Sequence, residues 1–291
     1  MTKTIDEQQV AALRDYNYHR TPQRRVQSFD AAVSFVNEVG FAFFWPIKGI
    51  EGPSLFHAIA GRVRDVPNVH NDPDLSPCWD WKDQALDKRV WYYAKVLRRR
   101  ACLISLDLLP MFYALSPNYG DYTTDHLEAY EAGELSAEAK AIYEALLHEG
   151  PLHTIRLRRA AHLGAESAKS RFKRALTELQ VRLQVLPVGV ADAGAWHYAF
   201  IYKLVPRHYP DLPAQARPIA RADARAALVR TYLDNVVAAT QKQIGQIFHV
   251  LGWTPRELSR TLQGLHDSNI IVETTIEGLQ GKHWVSTRAL T

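Results

Sequence analysis

The stretch "CWDWKDQALDKRVWYYAK" gathers residue types that can do chemistry or recognise a ring: Trp79, Trp81, Lys82 and Asp83, then Trp91, Tyr92, Tyr93 and Lys95. An indole face attracts positive charge at about 0.5 to 2 kcal/mol per contact and stacks on nucleic-acid bases. Lys82 beside Asp83 has the makings of a nucleophile and its base, although any neighbouring Lys and Asp meets that description. A simpler reading, which we prefer, is a Trp-rich helix packed on the preceding domain.

A second set of residues lies on two helices further along. "ESAKSRFKRALTELQ" places Ala168, Phe172, Ala175, Leu176 and Leu179 on one stripe and Lys169, Ser170, Lys173, Arg174 and Thr177 on the other. "TPRELSRTLQGLHD" turns Leu258, Leu262 and Leu265 inward and Arg256, Ser259, Arg260 and Gln263 outward. Cations beside short hydroxyls and an amide neutralise phosphates and reach base edges. For either helix alone a solvated face is the better reading. Two such faces on two similar modules favour nucleic-acid contact. Lys282, beside His283 after the turn of the last hairpin, joins this set, whereas Arg24–Arg25, Arg98–Arg100 and Arg158–Arg159 are as readily solvated surface as phosphate clamp.

Other chemistries lack their residues. His57 and His70 have no third ligand at convincing spacing, and Cys78 and Cys102 stand apart with no C-x-x-C, so neither a metal site nor a disulfide framework is expected. Phosphate-loop, dinucleotide, zinc-protease and serine-hydrolase patterns do not occur, and no cofactor is expected. The chain has 291 residues, 47% hydrophobic and 23% charged, with a formal charge of +4. That composition is globular and compatible with a polyanion partner. With a polar N-terminus and no long apolar run, a soluble, cytoplasmic protein is expected, with no membrane association.

The elements that must position these residues fall into three segments, expected at 1–134, 135–206 and 219–291. Joints are read at "YGDYTTDHLEAYEAGELS" and at "PRHYPDLPAQARP", whose Pro206, Pro210, Pro213 and Pro218 predict an extended connector. In the middle segment Ser136 caps a helix that Gly150 ends, two more helices follow, and "RLQVLPVGV" and "WHYAFIYKLV" form a hairpin turning at Gly194. The last segment repeats this order, with capping boxes at Thr240/Gln243 and Thr254/Glu257 and a hairpin turning at Gly278 and Gly281. Helices followed by a hairpin are the order of a winged helix-turn-helix. In the first segment "SFDAAVSFVNEVG" reads as a helix closed by Gly40, "FAFFW" as a buried strand, "DQALDKRVWYYAKVLRRR" as one long helix and "ACLISL" as a strand. The fold class is mainly α with small antiparallel hairpins, in tandem winged helix-turn-helix modules, the first of them degenerate.

This layout resembles the winged-helix DNA glycosylase superfamily from about Ser28 onward, through "FVNEVGFAFFWP", "WYYAKVLRRRACLISLDLLP" and the two later winged helices. The resemblance implies tandem winged helices around a channel for double-stranded DNA, with bulky alkylated or damaged bases as substrates. It also implies a Gln-x-Gln or Gln-x-Asp pair after the first helix and its glycine. Aligning Gly40 with that glycine puts Phe43 and Trp45 at the two positions. Hydrolysis of an N-glycosidic bond builds a cationic sugar, and a positioned polar group accelerates such a step roughly 100 to 10,000-fold. A phenyl ring has no acceptor and an indole only a donor.

The expectation is therefore a DNA-binding protein without this chemistry, with Phe43 and Trp45 serving as packing or as walls of an aromatic pocket shared with Trp79, Trp81, Lys82 and Asp83. Two alternatives stand beside it. One is an active glycosylase with a carboxylate relocated to Glu38, Asp80 or Asp83. The other is a scaffold for a small molecule or a protein partner.

Overall fold

The computed structural model describes residues 5–69, 71–118, 120–194 and 196–290. Helix α1 spans Glu7–Asn17, and α2 spans Phe29–Val39. Gly40 ends α2 as expected, at φ +75°, and the Ser28 hydroxyl caps its start by accepting from the Ala31 amide. Strand β1 (Phe41–Phe43) follows at once, buried throughout. Helices α3 (Leu55–Ala60) and α4 (Leu75–Ala85) lead to strands β2 (Tyr92–Lys95) and β3 (Ala101–Ile104). The sheet order is β1-β3-β2, antiparallel, with Phe43 opposite Cys102 and Ala94 opposite Cys102 on the other side. Helix α5 covers Leu109–Leu115.

The single long helix expected over Asp83–Arg100 is not formed. Helix α4 stops at Ala85, Tyr92–Lys95 is a strand, and Leu97–Arg99 is a short 3-10 turn. Leu86, Val90, Ala94 and Leu97 do fall on helical spacing. The run "VWYYAKV" is nevertheless rich in aromatic and β-branched residues, and pairing with β3 satisfies its backbone. Arg89, Arg98 and Arg99 all take positive φ, which no helix accommodates.

The middle unit comprises α6 (Asp125–Glu131), α7 (Ala137–Glu149), β4 (Leu152–His153), α8 (Thr154–Ala160), α9 (Lys169–Val181), β5 (Val185–Ala191) and β6 (Ala199–Leu204). Its sheet runs β4-β6-β5. The expected extended connector instead holds two short helices, α10 (Val205–His208) and α11 (Leu212–Ala216). Pro206 and Pro213 lie in their first turns, where a missing N–H costs nothing, so these prolines start helices rather than preventing them. The last unit comprises α12 (Arg221–Val236), β7 (Ala238–Ala239), α13 (Gln241–Phe248), α14 (Pro255–Asp267), β8 (Ile271–Thr275) and β9 (Lys282–Ser286), with sheet order β7-β9-β8. Both capping boxes form as read.

The first and last units share one core. Phe41 meets Phe112 of α5, Tyr232 of α12 and Phe248 of α13 at ring-centroid distances of 6.0, 6.5 and 6.2 Å. Polar ties seal the edges: Asn235 Nδ2 donates to the Val39 carbonyl at 2.8 Å, and Arg14 donates to the carbonyls of Val236 and Ala238 at 2.8 and 2.7 Å. The chain is mainly helical with small three-stranded antiparallel sheets. No helix among the described residues is long and apolar enough to cross a membrane.

Two measurements check this packing. A Cβ on Gly40 would lie 2.7 Å from Thr231 Cγ2 and 3.1 Å from Leu108 Cδ2, at a backbone conformation that already disfavours a side chain. Gly40→Ala is expected to cost about 1 to 3 kcal/mol in urea unfolding; a change within error would mean that the α2–α12 seam has slack. Burial, aided by the charges of Arg89 and Lys203, pushes His208 down to about 4, and its Nε2 has no hydrogen-bond partner among the described residues. Folding on a neutral imidazole contributes stability that is fully present above the ordinary histidine pKa near 6.5 and is lost as pH falls from there towards 4. The urea midpoint should drop between pH 7.5 and 5, and His208→Gln should flatten that drop.

Candidate nucleic-acid interface

Helix α9 buries Phe172, Ala175, Leu176 and Leu179 and leaves Lys169, Ser170, Lys173 and Arg174 exposed. Lys169 reaches Glu166 at 2.9 Å, whereas Lys173 and Arg174 have no ion-pair partner among the described residues. Helix α14 repeats the arrangement: Arg256, Ser259, Arg260 and Gln263 are exposed. Ser259 Oγ donates to the Pro255 carbonyl at 3.0 Å, and the Gln263 amide donates to Asp267 at 2.7 Å. On the wing, Lys282 is held by Glu273 at 3.0 Å. The shared core leaves both helix faces on the outside.

Beside α9 lies a cavity of about 360 Å³, with Tyr93, Phe172, Phe200 and Tyr202 as its aromatic walls. Its cations are Lys95, Arg158, Lys169 and Lys173, and no carboxylate lines it. The ammonium of Lys95 is shifted below its ordinary pKa, first by burial and then by the charges of Lys173 and Arg100. Such a site is one that an approaching phosphate relieves. Gln180 ties the floor together, accepting from the Lys95 amide at 2.9 Å and donating to the Leu176 carbonyl at 3.2 Å.

The aromatic walls continue past the cavity into the Trp-rich region. Tyr93 lies 6.4 Å from Phe200 and 5.8 Å from Phe44, and Phe44 meets Trp45 at 4.4 Å and Trp79 at 5.5 Å. The strand alternation of "WHYAFIYKLV" puts Tyr198, Phe200 and Tyr202 on one face, with successive centroids 5.4 and 6.2 Å apart. At the hairpin tip Trp196 is 90% exposed. The sequence reading missed Tyr198 and Phe200 as site residues, which the alternation could have found; Lys95 was noted in the aromatic stretch, and the β2 strand places it at the cavity.

Lys82 occupies the middle of this row and is wholly buried. Its ammonium donates to Asp83 Oδ1 at 2.5 Å and to Tyr198 Oη at 2.6 Å, while the Tyr198 hydroxyl donates to Asp83 Oδ1 at 2.9 Å. The same ammonium lies 4.7 Å from the Trp79 ring centre and 4.5 Å from that of Phe200. Burial lowers the Lys82 pKa, opposed by Asp83. Burial and Asp83 raise that of Tyr198, so its hydroxyl keeps its proton.

The six expected pocket residues therefore separate. Trp45, Trp79, Lys82 and Asp83 come together, but Phe43 and Trp81 do not join them. Phe43 points to the other side of β1, into the core shared with the last unit, and is 2% exposed. Strand β1 ends at Phe43 ahead of Pro46, so the alternation that would pair Phe43 with Trp45 lapses. Trp81 is partly buried against the same core as Trp45 but makes no ring contact with Trp45 or Trp79 among the described residues, since two residues along a helix turn it more than half a turn from Trp79.

The other candidate carboxylates are placed apart. Glu38 is paired with Arg24 at 2.5 Å and His19 at 2.9 Å; burial works to raise its pKa, and these hydrogen bonds bring it below the ordinary value. Asp80 is exposed at the rim of α4. His57 Nε2 bonds to the Arg64 carbonyl at 3.0 Å, and His70 lies outside the described residues. Among the described residues no group of three His, Cys, Asp or Glu could hold a metal. Both thiols are buried and free, with burial pushing Cys102 up to about 12.

Lys82→Ala empties the cage and leaves Asp83 with the Tyr198 hydroxyl, at an expected cost of about 2 to 5 kcal/mol in chemical unfolding, mostly from the cavity. Lys82→Met, which keeps the stem and fills the space, should cost less. Equal stability of wild type and Lys82→Ala would show that the contact between α4 and the wing contributes nothing.

The AlkZ-related family profile matches residues 26–249 of the chain. Among solved structures, the Streptomyces sahachiroi DNA glycosylase AlkZ superposes with a TM-score of 0.59, covering 98% of this chain and 71% of that one at 13% identity. No curated protein matches the sequence. That fold carries tandem winged helix-turn-helix modules, in agreement with the three small sheets and their helices. With more than half of its length matched, the chain belongs to the AlkZ-related family.

Proposed function

We propose that the protein binds double-stranded DNA through α9, the adjoining cavity and α14, and that it does so without glycosylase chemistry. The carrying observation is the cavity beside α9, with aromatic walls, four cations and no carboxylate in its lining. Phosphates find Lys95 and Lys173 there, with no ion-pair partner among the described residues, and a base or sugar finds ring faces. Among the described residues no Asp, Glu or His lines this cavity, and its one side-chain amide, Gln180, is committed to the Lys95 amide and the Leu176 carbonyl. At the positions where the resemblance puts the family's polar pair, Phe43 is core and Trp45 is packed against Phe44, Phe56 and Trp79.

The role that follows is recognition of DNA structure or damage, or regulation. The Lys82 ammonium already fills the cation position over Trp79. A positively charged alkylated base would meet a like charge at that point, so the cage favours neutral or distorted DNA over cationic lesions.

The alternative of a relocated catalytic carboxylate has one observation in its favour: Asp83 borders the aromatic row. Its Oδ1 is engaged by both Lys82 and Tyr198.

Duplex binding followed by fluorescence anisotropy tests the proposal. Affinity should fall linearly with salt on a logarithmic plot, and Arg174→Glu and Arg260→Glu should each weaken binding and reduce the slope by about 1. Unchanged binding in both variants would exclude these faces. Release of an alkylated base by the wild type, lost in Asp83→Asn, would establish the enzyme reading instead.

A further inference from the structure

A second cavity, whose lining shares no residue with the one beside α9, lies where the 3-10 turn Leu97–Arg99 meets the last winged helix. Its volume is about 650 Å³, within the range of small-molecule sites. Trp253, Leu258, Pro255 and Gly245 supply apolar walls; Arg98 and Lys242 supply charge. No Asp or Glu lines it. The Glu257 carboxylate one turn away is already committed to the Thr254 amide and hydroxyl, both at 2.9 Å, and to Arg225.

The components are held in place. Trp253 is stacked on Phe248 with centroids 4.8 Å apart and planes 16° from parallel, which fixes a flat wall. Arg98 takes a left-handed backbone at φ +56° and donates from Nη1 to the Gln246 carbonyl at 3.2 Å, so that its guanidinium is anchored at one edge. The left-handed conformation is strained for arginine and persists where the surroundings demand it. Lys242 is exposed and has no ion-pair partner among the described residues. At the rim Gln241 Nε2 donates to Ser259 Oγ at 2.8 Å, linking the cavity to the outward face of α14.

We infer that this cavity is a binding site for a planar aromatic carboxylate of small-molecule size, its ring lying along Trp253 and Leu258 and its carboxylate between Arg98 and Lys242. Apolar walls favour the ring, the absence of acidic neighbours favours an anion over a cation, and Arg98 offers a fork of donors that a carboxylate matches. The site draws residues from the first and the last unit. Through the Gln241–Ser259 link, its occupation bears on the α14 face without touching the α9 cavity. The inference does not rest on the proposed DNA function, since the cavity and its charge stand without it.

The test uses the full-length protein at low salt and two probes of one ring system, 2-naphthoate and its neutral isostere 2-naphthamide, followed by calorimetry and tryptophan quenching. Naphthoate should bind saturably and about tenfold or more tighter than naphthamide. Lys242→Glu, a surface change, should remove that preference while the far-ultraviolet circular dichroism stays that of the wild type. Trp253→Phe should reduce the quenching while the calorimetric binding of naphthoate persists. Equal affinity for the two probes, or naphthoate binding untouched by both Lys242→Glu and Arg98→Gln, would overturn the assignment, as would no saturable binding of either. Duplex affinity measured alongside reports separately on the DNA reading.

Discussion

A single sealed ammonium ties the α9 surface together. Lys82 cannot be buried without partners, since an isolated charge in an apolar setting is expensive. Asp83 and Tyr198 together with the rings of Trp79 and Phe200 meet that demand. Because Tyr198 and Phe200 belong to the middle unit and Lys82 to the first, the charge fixes the wing against α4. The aromatic row then runs unbroken from Trp45 to Tyr202, and the cavity beside α9 keeps its shape.

The same arrangement explains why the surface is suited to recognition. An open aromatic cage is a receptor for a cation, and this one is filled from within. What remains available is the basic flank formed by Lys95, Arg158, Lys169 and Lys173 and the outer faces of α9 and α14. Phe43, as a hydrocarbon, sits in the core between the first and last units, where an amide would need hydrogen-bond partners.

Much of this was legible in the residues, and the failures have physical causes. Caps were readable because they are local: Ser136, Thr240 and Thr254 all accept from the third amide beyond them. Helix faces followed from spacing, as in α9 and α14. The long helix over Asp83–Arg100 failed because helical spacing there competes with strand pairing, and a partner distant in sequence decides the outcome. The extended connector failed because proline within a helix differs from proline at its start. In the pocket, Trp79, Lys82 and Asp83 were grouped by their nearness in sequence. A further partner of Lys82, Tyr198, lies far along the chain in another unit, and only the fold brings it in.

The shared core of the first and last units has a bearing on biogenesis. Phe41 reaches its partners Tyr232 and Phe248 across most of the chain, and Arg14 is fastened to carbonyls at positions 236 and 238. During synthesis the β1 face therefore emerges from the ribosome long before the surface that covers it. The middle unit must be made in the interval, leaving the earliest apolar sheet face to wait uncovered or under chaperone protection until translation has passed α13.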